Sequence, residues 1–256
     1  MFHPVIKLLF LRKTPDMRFA IFGDIHANLE ALNAVLADAE AHQVTDYVCL
    51  GDVVGYNANP AECLEIVRQL GCPVVKGNHD EHVSASDELV GFNPLAEEAI
   101  NWTRNQLNEE DKRWLREVKM VRQVRDFTIV HATLDTPHNW GYVFNQLDAA
   151  ASFNYQHTAL CFYGHTHAPR VYSRDGSMKG AFLDRLQIEP AKKYFINCGS
   201  VGQPRDGDWR AAYVLYSPEH QTVELRRVEY DITTAQTKIL EAGLPKRLAD
   251  RLALGK

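Results

Sequence analysis

Along the first eighty residues, short apolar runs alternate with amphipathic stretches, and each run closes on a polar cluster. "RFAIF" (18–22) leads into "GDIHAN". Beyond Asn28, the expected N-cap, Leu29, Leu32, Leu36 and Ala39 recur at helical spacing. "DYVCL" (46–50) predicts a buried strand, followed by "GD" and a helix opened by Pro60. "CPVVKGNHD" (72–80) repeats the pattern of a strand and a polar loop. This β-α-β-α-β alternation implies parallel strands with the polar motifs gathered at their C-terminal ends.

Residues 84–118 predict mainly helix, with "NPLAEEAINWTRNQL" and "EEDKRWLREV" each carrying a mixed apolar and charged face. The period then changes. "VRQVRDFTIVHAT", "HTALCFYGHTH", "RVYS", "KKYFINCGS", "AAYVLYS" and "TVELRRVEY" are short and rich in β-branched or aromatic residues, as expected of antiparallel or mixed strands. From Asp231 onward two short helical patterns follow, with no evident chemistry. No repeat, low-complexity segment or Pro/Gly-rich linker divides the chain. The expectation is one domain over 17–256, preceded by an N-terminal arm at 1–16 that lacks the small-residue cleavage signature of a signal peptide.

Composition changes this picture little. The chain has 256 residues, 45% hydrophobic and 24% charged, with a net charge of -5. That balance gives no electrostatic footprint for stable nucleic-acid or anionic-membrane binding. No apolar run reaches transmembrane length. Five cysteines scattered through apolar segments without CxxC spacing read as reduced thiols, and place the expected location in the cytoplasm.

The chemistry lies where the apolar runs end. "GDIH" carries Asp24 and His26, "GD" carries Asp52, "GNHD" carries Asn78, His79 and Asp80, "VHAT" carries His131, and "GHTH" carries His165 and His167. Singly, each is as readily a turn cap or a core histidine. Five such sites, most introduced by glycine, point to a shared centre. Aspartates, an amide oxygen and imidazoles without thiolate suit hard or borderline divalent ions, and the donors exceed what one ion needs. Two ions roughly 3.5–4 Å apart can clamp a phosphoryl group and supply hydroxide at neutral pH.

In this order the five motifs, from Asp24 to His167, resemble those of the calcineurin-like metallophosphoesterases. The resemblance implies an α/β protein: a four-layer α/β/β/α sandwich with two mixed β-sheets flanked by helices. It implies two divalent metal ions per chain, drawn from Mn, Fe, Zn and Co with Mn favoured. Carried onto this sequence, Asp24, His26 and His167 would hold the first ion, Asn78, His131 and His165 the second, and Asp52 would bridge them. His79 stays free to act as general acid, with Asp80 beside it to orient it and favour its protonated form; the other reading of Asp80 is a turn cap. A metal-bridging hydroxide would attack phosphorus.

"GDVVGYNANP" lacks the adjacent acidic and basic residues of the protein-phosphatase loop, with Gly55 and Tyr56 in their place. With "NCGSVGQPRDGD" (197–208), it is similar to a small bacterial and archaeal subgroup linked to phosphodiesters and, in some members, dinucleoside polyphosphates. Cys198 and Ala27 depart from that subgroup's usual proline and glycine without removing a ligand. Tyr56 could stack on a base, and Arg205 could meet a phosphate oxygen or else pair with Asp206 or Asp208. Residues 134–145, with Trp140 and Tyr142, could form part of a substrate wall. The expected partner is a small, nucleotide-like phosphorylated substrate, with oligomeric state left open. A phosphoprotein phosphatase, or a non-catalytic scaffold such as the retromer subunit that shares this fold, is the alternative.

Overall fold

The computed structural model describes residues 16–86, 89 and 93–256. Apart from Asp16, the expected N-terminal arm lies outside the described residues. In chain order the elements are β1 (Phe19–Phe22), α1 (Leu29–Ala41), β2 (Asp46–Cys49), α2 (Pro60–Gln69), α3 (Asn78–Ser84), α4 (Pro94–Gln106) and α5 (Glu109–Glu117). Then come β3 (Val121–Val124), β4 (Phe127–Val130), α6 (Gln146–Tyr155), β5 (Leu160–Tyr163), β6 (Arg170–Arg174), β7 (Met178–Phe182) and β8 (Arg185–Gln187). The chain closes with β9 (Lys193–Asn197), β10 (Ala211–Ser217), β11 (Thr222–Val228), α7 (Ile232–Glu241) and α8 (Lys246–Leu254).

Two mixed sheets form. One has the order β2-β1-β10-β11-β8 and the other β3-β4-β5-β9-β6-β7. Parallel pairing joins β1 to β2 in the first, and β4, β5 and β9 in the second. Period-two alternation makes each central strand face two layers. In β1, Ala20 and Phe22 pack among α1, α2, α7 and α8, while Phe19 and Ile21 point to the opposite sheet. In β5, Leu160 and Phe162 fill the space between the sheets, while Cys161 and Tyr163 pack against Phe153 of α6. The three clusters are the three interfaces of a helix–sheet–sheet–helix sandwich. Burying each large apolar side chain there contributes about 1.5–3 kcal/mol. At the centre, the Phe19 and Phe162 rings pack on Phe127 with centroids 5.2 and 5.4 Å apart, edge-on.

Helix starts follow the sequence closely. Asn28 accepts from the Ala31 amide, and Pro60 opens α2. The third parallel strand expected at "CPVV" does not form a ladder. Val74 and Val75 make only isolated bridges, to Cys49 and Lys119. "GNHD" is correspondingly not a loop but the start of α3, because the Asp80 carboxylate turns back to accept from the Gly77 amide at 3.1 Å. The exposed strands β7 and β8 were not legible in the sequence, since "MKGAF" and "RLQ" lack a run of β-branched or aromatic residues.

Candidate metal centre

The C-terminal ends of β1, β2, β4 and β5 come together at one edge of the sandwich. Asp24 and His26 follow β1, Asp52 follows β2, His131 follows β4, and His165 and His167 follow β5; Asn78 opens α3. Backbone bonds lock the loops to each other. The Asp24 and His26 amides donate to Gly51 O and Asp52 O, both at 2.9 Å, and the Gly164 amide donates to His131 O at 2.9 Å. The two sheets are tied by a side chain, for Asp24 accepts from the His165 amide at 3.0 and 3.1 Å. Five of these residues, Asp24, His26, Asp52, His165 and His167, sit at φ between 48° and 68°. For residues with a Cβ that costs on the order of 1 kcal/mol each, a strain concentrated at this one place.

The side chains fall into two buried donor sets. Asp24, His26, Asp52 and His167 each offer an atom within 4.8 Å of the others, and so do Asp52, His131 and His165. Asp52 belongs to both. Its Oδ1 accepts from the His79 amide at 2.8 Å. Its Oδ2 lies 3.5 Å from His26 Nε2 and 3.4 Å from His131 Nε2. Asn78 Oδ1 stands 3.3 Å from His131 Nε2, beside the second set.

Backbone carbonyls aim the imidazoles. A carbonyl can only accept, so the ring nitrogen facing it carries the hydrogen and the other is turned inward. His26 Nδ1 meets Val54 O at 3.2 Å, His131 Nδ1 meets Leu50 O at 2.8 Å, and His167 Nδ1 meets Gln203 O at 2.6 Å. His165 is reversed: its Nε2 meets Trp140 O at 2.9 Å, which leaves Nδ1 as the inward atom. Outer hydrogen bonds of this kind orient metal-ligating histidines.

This donor set fits divalent cations. His26 Nε2 and His167 Nε2 face each other at 3.1 Å. Burial pulls both imidazoles well below their ordinary pKa, so two lone pairs stand opposed. Burial, with the Asp52 charge nearby, pushes Asp24 up to about 7. His131 shows the reverse pull. Burial opposes its charge, yet Asp52 and the hydrogen bond between them raise it to about 9. With protein atoms alone, a proton on His131 balances Asp52; cations between the carboxylates and inward lone pairs would resolve both conflicts.

His79 lies against this cluster, its ring centroid 4.8 Å from His26 and 4.3 Å from Tyr56. The expected contact with Asp80 is absent. Asp80 is spent on backbone, accepting from Val53, Val54 and Gly77 at 2.9, 3.3 and 3.1 Å. His79 Nδ1 is buried with no hydrogen-bond partner, and burial lowers its pKa to about 4, against the favouring of the protonated form expected from Asp80. The reason is geometric: three amides converge on Asp80 from the loop after Asp52 and from its own helix start. It is the turn cap of the other reading.

Arg205 forms no pair with its acidic neighbours. Asp206 pairs with Arg227 and Asp208 with Arg210, while Arg205 donates to Gln203 Oε1 at 2.8 Å and lies 5.6 Å from the Tyr56 ring centroid. In the 134–145 segment, Tyr142 stacks on His165 at 4.2 Å. Sequence reasoning placed a helix at the end of the chain but missed its part in the site. Arg247 and Arg251 of α8 reach the same pocket wall as Tyr56, Tyr142 and Arg205. No local signal could have found them, since an arginine on an amphipathic helix reads as a solvated face.

Comparison with known proteins identifies the family and the fold. The model of the calcineurin-like phosphoesterase superfamily domain matches residues 17–221. An uncharacterized protein of Methanocaldococcus jannaschii is 40% identical over 242 residues, 93% of this chain and 98% of that protein. Among solved structures, a metallophosphoesterase from Sphaerobacter thermophilus superimposes with a TM-score of 0.85 at 41% identity, covering 94% of this chain and all of that one. A hypothetical protein of Pyrococcus horikoshii shares the fold, with a TM-score of 0.79 at 19% identity over 94% of this chain and 99% of its own.

Proposed function

The chain belongs to the calcineurin-like phosphoesterase superfamily, and from that premise we propose that it is a dinuclear-metal-dependent hydrolase of small phosphodiesters or nucleotides. The observation that carries the proposal is the pair of donor sets meeting on Asp52, with four imidazoles each aimed by a backbone carbonyl. In this reading Asp24, His26 and His167 hold one divalent ion, and Asn78, His131 and His165 hold the other. Asp52 serves both. Manganese suits the mixed oxygen and nitrogen donors. Two such ions supply Lewis acidity toward a phosphoryl group and lower the pKa of water.

The chain's own residues do the rest. His79 would protonate the leaving oxygen, the anionic substrate countering the burial that lowers its pKa to about 4, and the hydrogen bond from its backbone amide to Asp52 Oδ1 fixes it beside the shared carboxylate. Asp80 acts through the backbone, holding the loop after Asp52 and the start of α3 in one piece. Tyr56 and Arg205 line the approach to His79. Diester preference rests on the absence of the acidic–basic pair that marks protein-phosphatase loops, here replaced by Gly55 and Tyr56. Five cysteines scattered through the sequence without CxxC spacing fit a reducing, cytoplasmic location. Among the described residues no helix is long and apolar enough to cross a membrane.

The test is hydrolysis of bis-p-nitrophenyl phosphate by Mn²⁺-loaded protein. Wild type turns it over; His79→Ala retains both ions and loses roughly 10²–10⁴ in kcat. Wild-type turnover by the His79→Ala protein would remove the acid role, and no turnover by any form would remove the enzyme reading.

A further inference from the structure

A cavity of about 380 Å³ opens beside the metal ligands, and its walls are basic. Tyr56 and Tyr142 form the side nearest the centre. The Tyr56 ring lies 4.7 Å from the His26 ring and 4.3 Å from His79, and Tyr142 stacks on His165. Arg205, Arg247, Arg251 and Lys256 line the cavity with them. Arg205 and Arg251 place guanidinium carbons 5.6 and 6.0 Å from the same Tyr56 ring centroid.

We propose that this cavity binds a further phosphate of the substrate, so that the preferred substrate carries two or more phosphates in one chain, as a nucleoside polyphosphate does. The proposal rests on the phosphoesterase reading and deepens it. Four cations meet in one pocket of a chain whose net charge is -5. The acidic residue on this wall, Asp250, is engaged by Lys246 at 2.6 and 2.7 Å and does not neutralise them. Arg205 Nε is buried with no hydrogen-bond partner. Burial and the neighbouring Arg205 charge both depress the Arg251 pKa, while its Nε donates to the Lys256 main-chain oxygen at 2.5 Å and leaves the terminal guanidinium nitrogens to face the cavity cations.

A phosphate answers this arrangement chemically. It offers several acceptor oxygens and up to two negative charges to planar, forked donors. A substrate lying from the donor sets past Tyr56 would place one phosphoryl group among the metal ligands and the next among the arginines. Arg247 and Arg251 lie beyond residue 221, where the match to the superfamily domain ends. The C-terminal helix therefore adds these two arginines to Tyr56, Tyr142 and Arg205 of the common domain.

The experiment compares substrates with and without a further phosphate, using the full chain loaded with Mn²⁺. Arg251→Ala and Arg247→Ala are each expected to raise KM for diadenosine tetraphosphate roughly tenfold relative to KM for bis-p-nitrophenyl phosphate, the size of one charge-assisted hydrogen bond. Arg251→Lys should recover part of the loss. A second readout needs no turnover: calorimetric binding of inorganic tripolyphosphate to the chain after metal removal should weaken by a similar factor in each alanine variant and fall with added salt. An unchanged KM ratio in variants that melt like wild type would overturn the proposal. So would loss of diadenosine tetraphosphate affinity without loss of tripolyphosphate affinity, since the pocket would then read the nucleoside. If wild type leaves bis-p-nitrophenyl phosphate intact, the catalytic reading fails, and tripolyphosphate binding still decides the subsite.

Discussion

Two aspartates can approach the centre only because side chains are missing next to them. A Cβ on Gly77 would overlap Asp52 Oδ1 and the Asp52 amide, and one on Gly164 would lie 2.5 Å from Asp24 Oδ2. Gly77→Ala must therefore displace the carboxylate shared by both donor sets. We expect a loss of roughly 1–3 kcal/mol in stability from overpacking, and a loss of bound metal. Thermal denaturation of the metal-free chain and elemental analysis of the reloaded chain check this; unchanged melting with two ions retained would contradict it. The clustered donor residues were legible at this scale because glycine beside Asp or His at the end of an apolar run is an unusual local signal. The partner of Asp80 was not. Its oxygens meet amides 26 and 27 residues away, and sequence adjacency to His79 pointed to the wrong neighbour.

Helices and strands were readable wherever one face is apolar, and α1 illustrates what that leaves out. Spacing pointed to Leu29, Leu32, Leu36 and Ala39, whereas the buried face is Ala31, Leu32, Val35 and Ala39, with Leu29 and Leu36 partly buried beside it. Its polar side carries Asp38, which accepts from Tyr213 Oη at 2.8 Å and from Arg226 at 3.2 and 3.3 Å, so the helix is pinned to β10 and β11. No periodicity predicts such a bond, because the partners lie 175 and 188 residues away. Burial pushes the Asp38 pKa up, but the Arg226 and Tyr213 hydrogen bonds outweigh it, and the folded value lies below the ordinary one. The stabilisation is therefore present above the unfolded pKa near 4 and is lost as pH falls through the folded value. Asp38→Asn should cost about 1 kcal/mol at pH 7, after allowance for solvent screening, and much less near pH 3. Urea denaturation of both proteins at the two pH values measures it, and an equal difference at both would count against the ion pair. The basic face of α8 escaped for the same reason: its partners are brought to it by the fold.

At the level of the whole molecule, the alternation of apolar runs indicated parallel strands, the resemblance to the metallophosphoesterases implied the layers, and the three buried clusters are those layers made physical. What pattern alone did not give is how the sheets are joined at the functional edge. Asp24, His26 and Asp52 come from one sheet, His131, His165 and His167 from the other, and each donor set draws on both. A cation bound there would tie sheet to sheet and bind the folded chain in preference to the unfolded one. Stability should then rise as RT ln(1 + [M]/Kd), about 2.7 kcal/mol at a hundredfold excess over Kd, which for a chain of this size is a rise of roughly 5–10 °C in melting temperature. Scanning calorimetry of the metal-stripped chain titrated with Mn²⁺ measures this without reference to any substrate. Asp52→Asn weakens both donor sets at once and should lose most of the rise, whereas a change in the outer face of α1 such as Asp38→Asn should lower the baseline and leave the metal-dependent increment intact. A wild-type melting temperature indifferent to Mn²⁺, or an increment equally large in Asp52→Asn, would break the link between the shared carboxylate and the joining of the sheets.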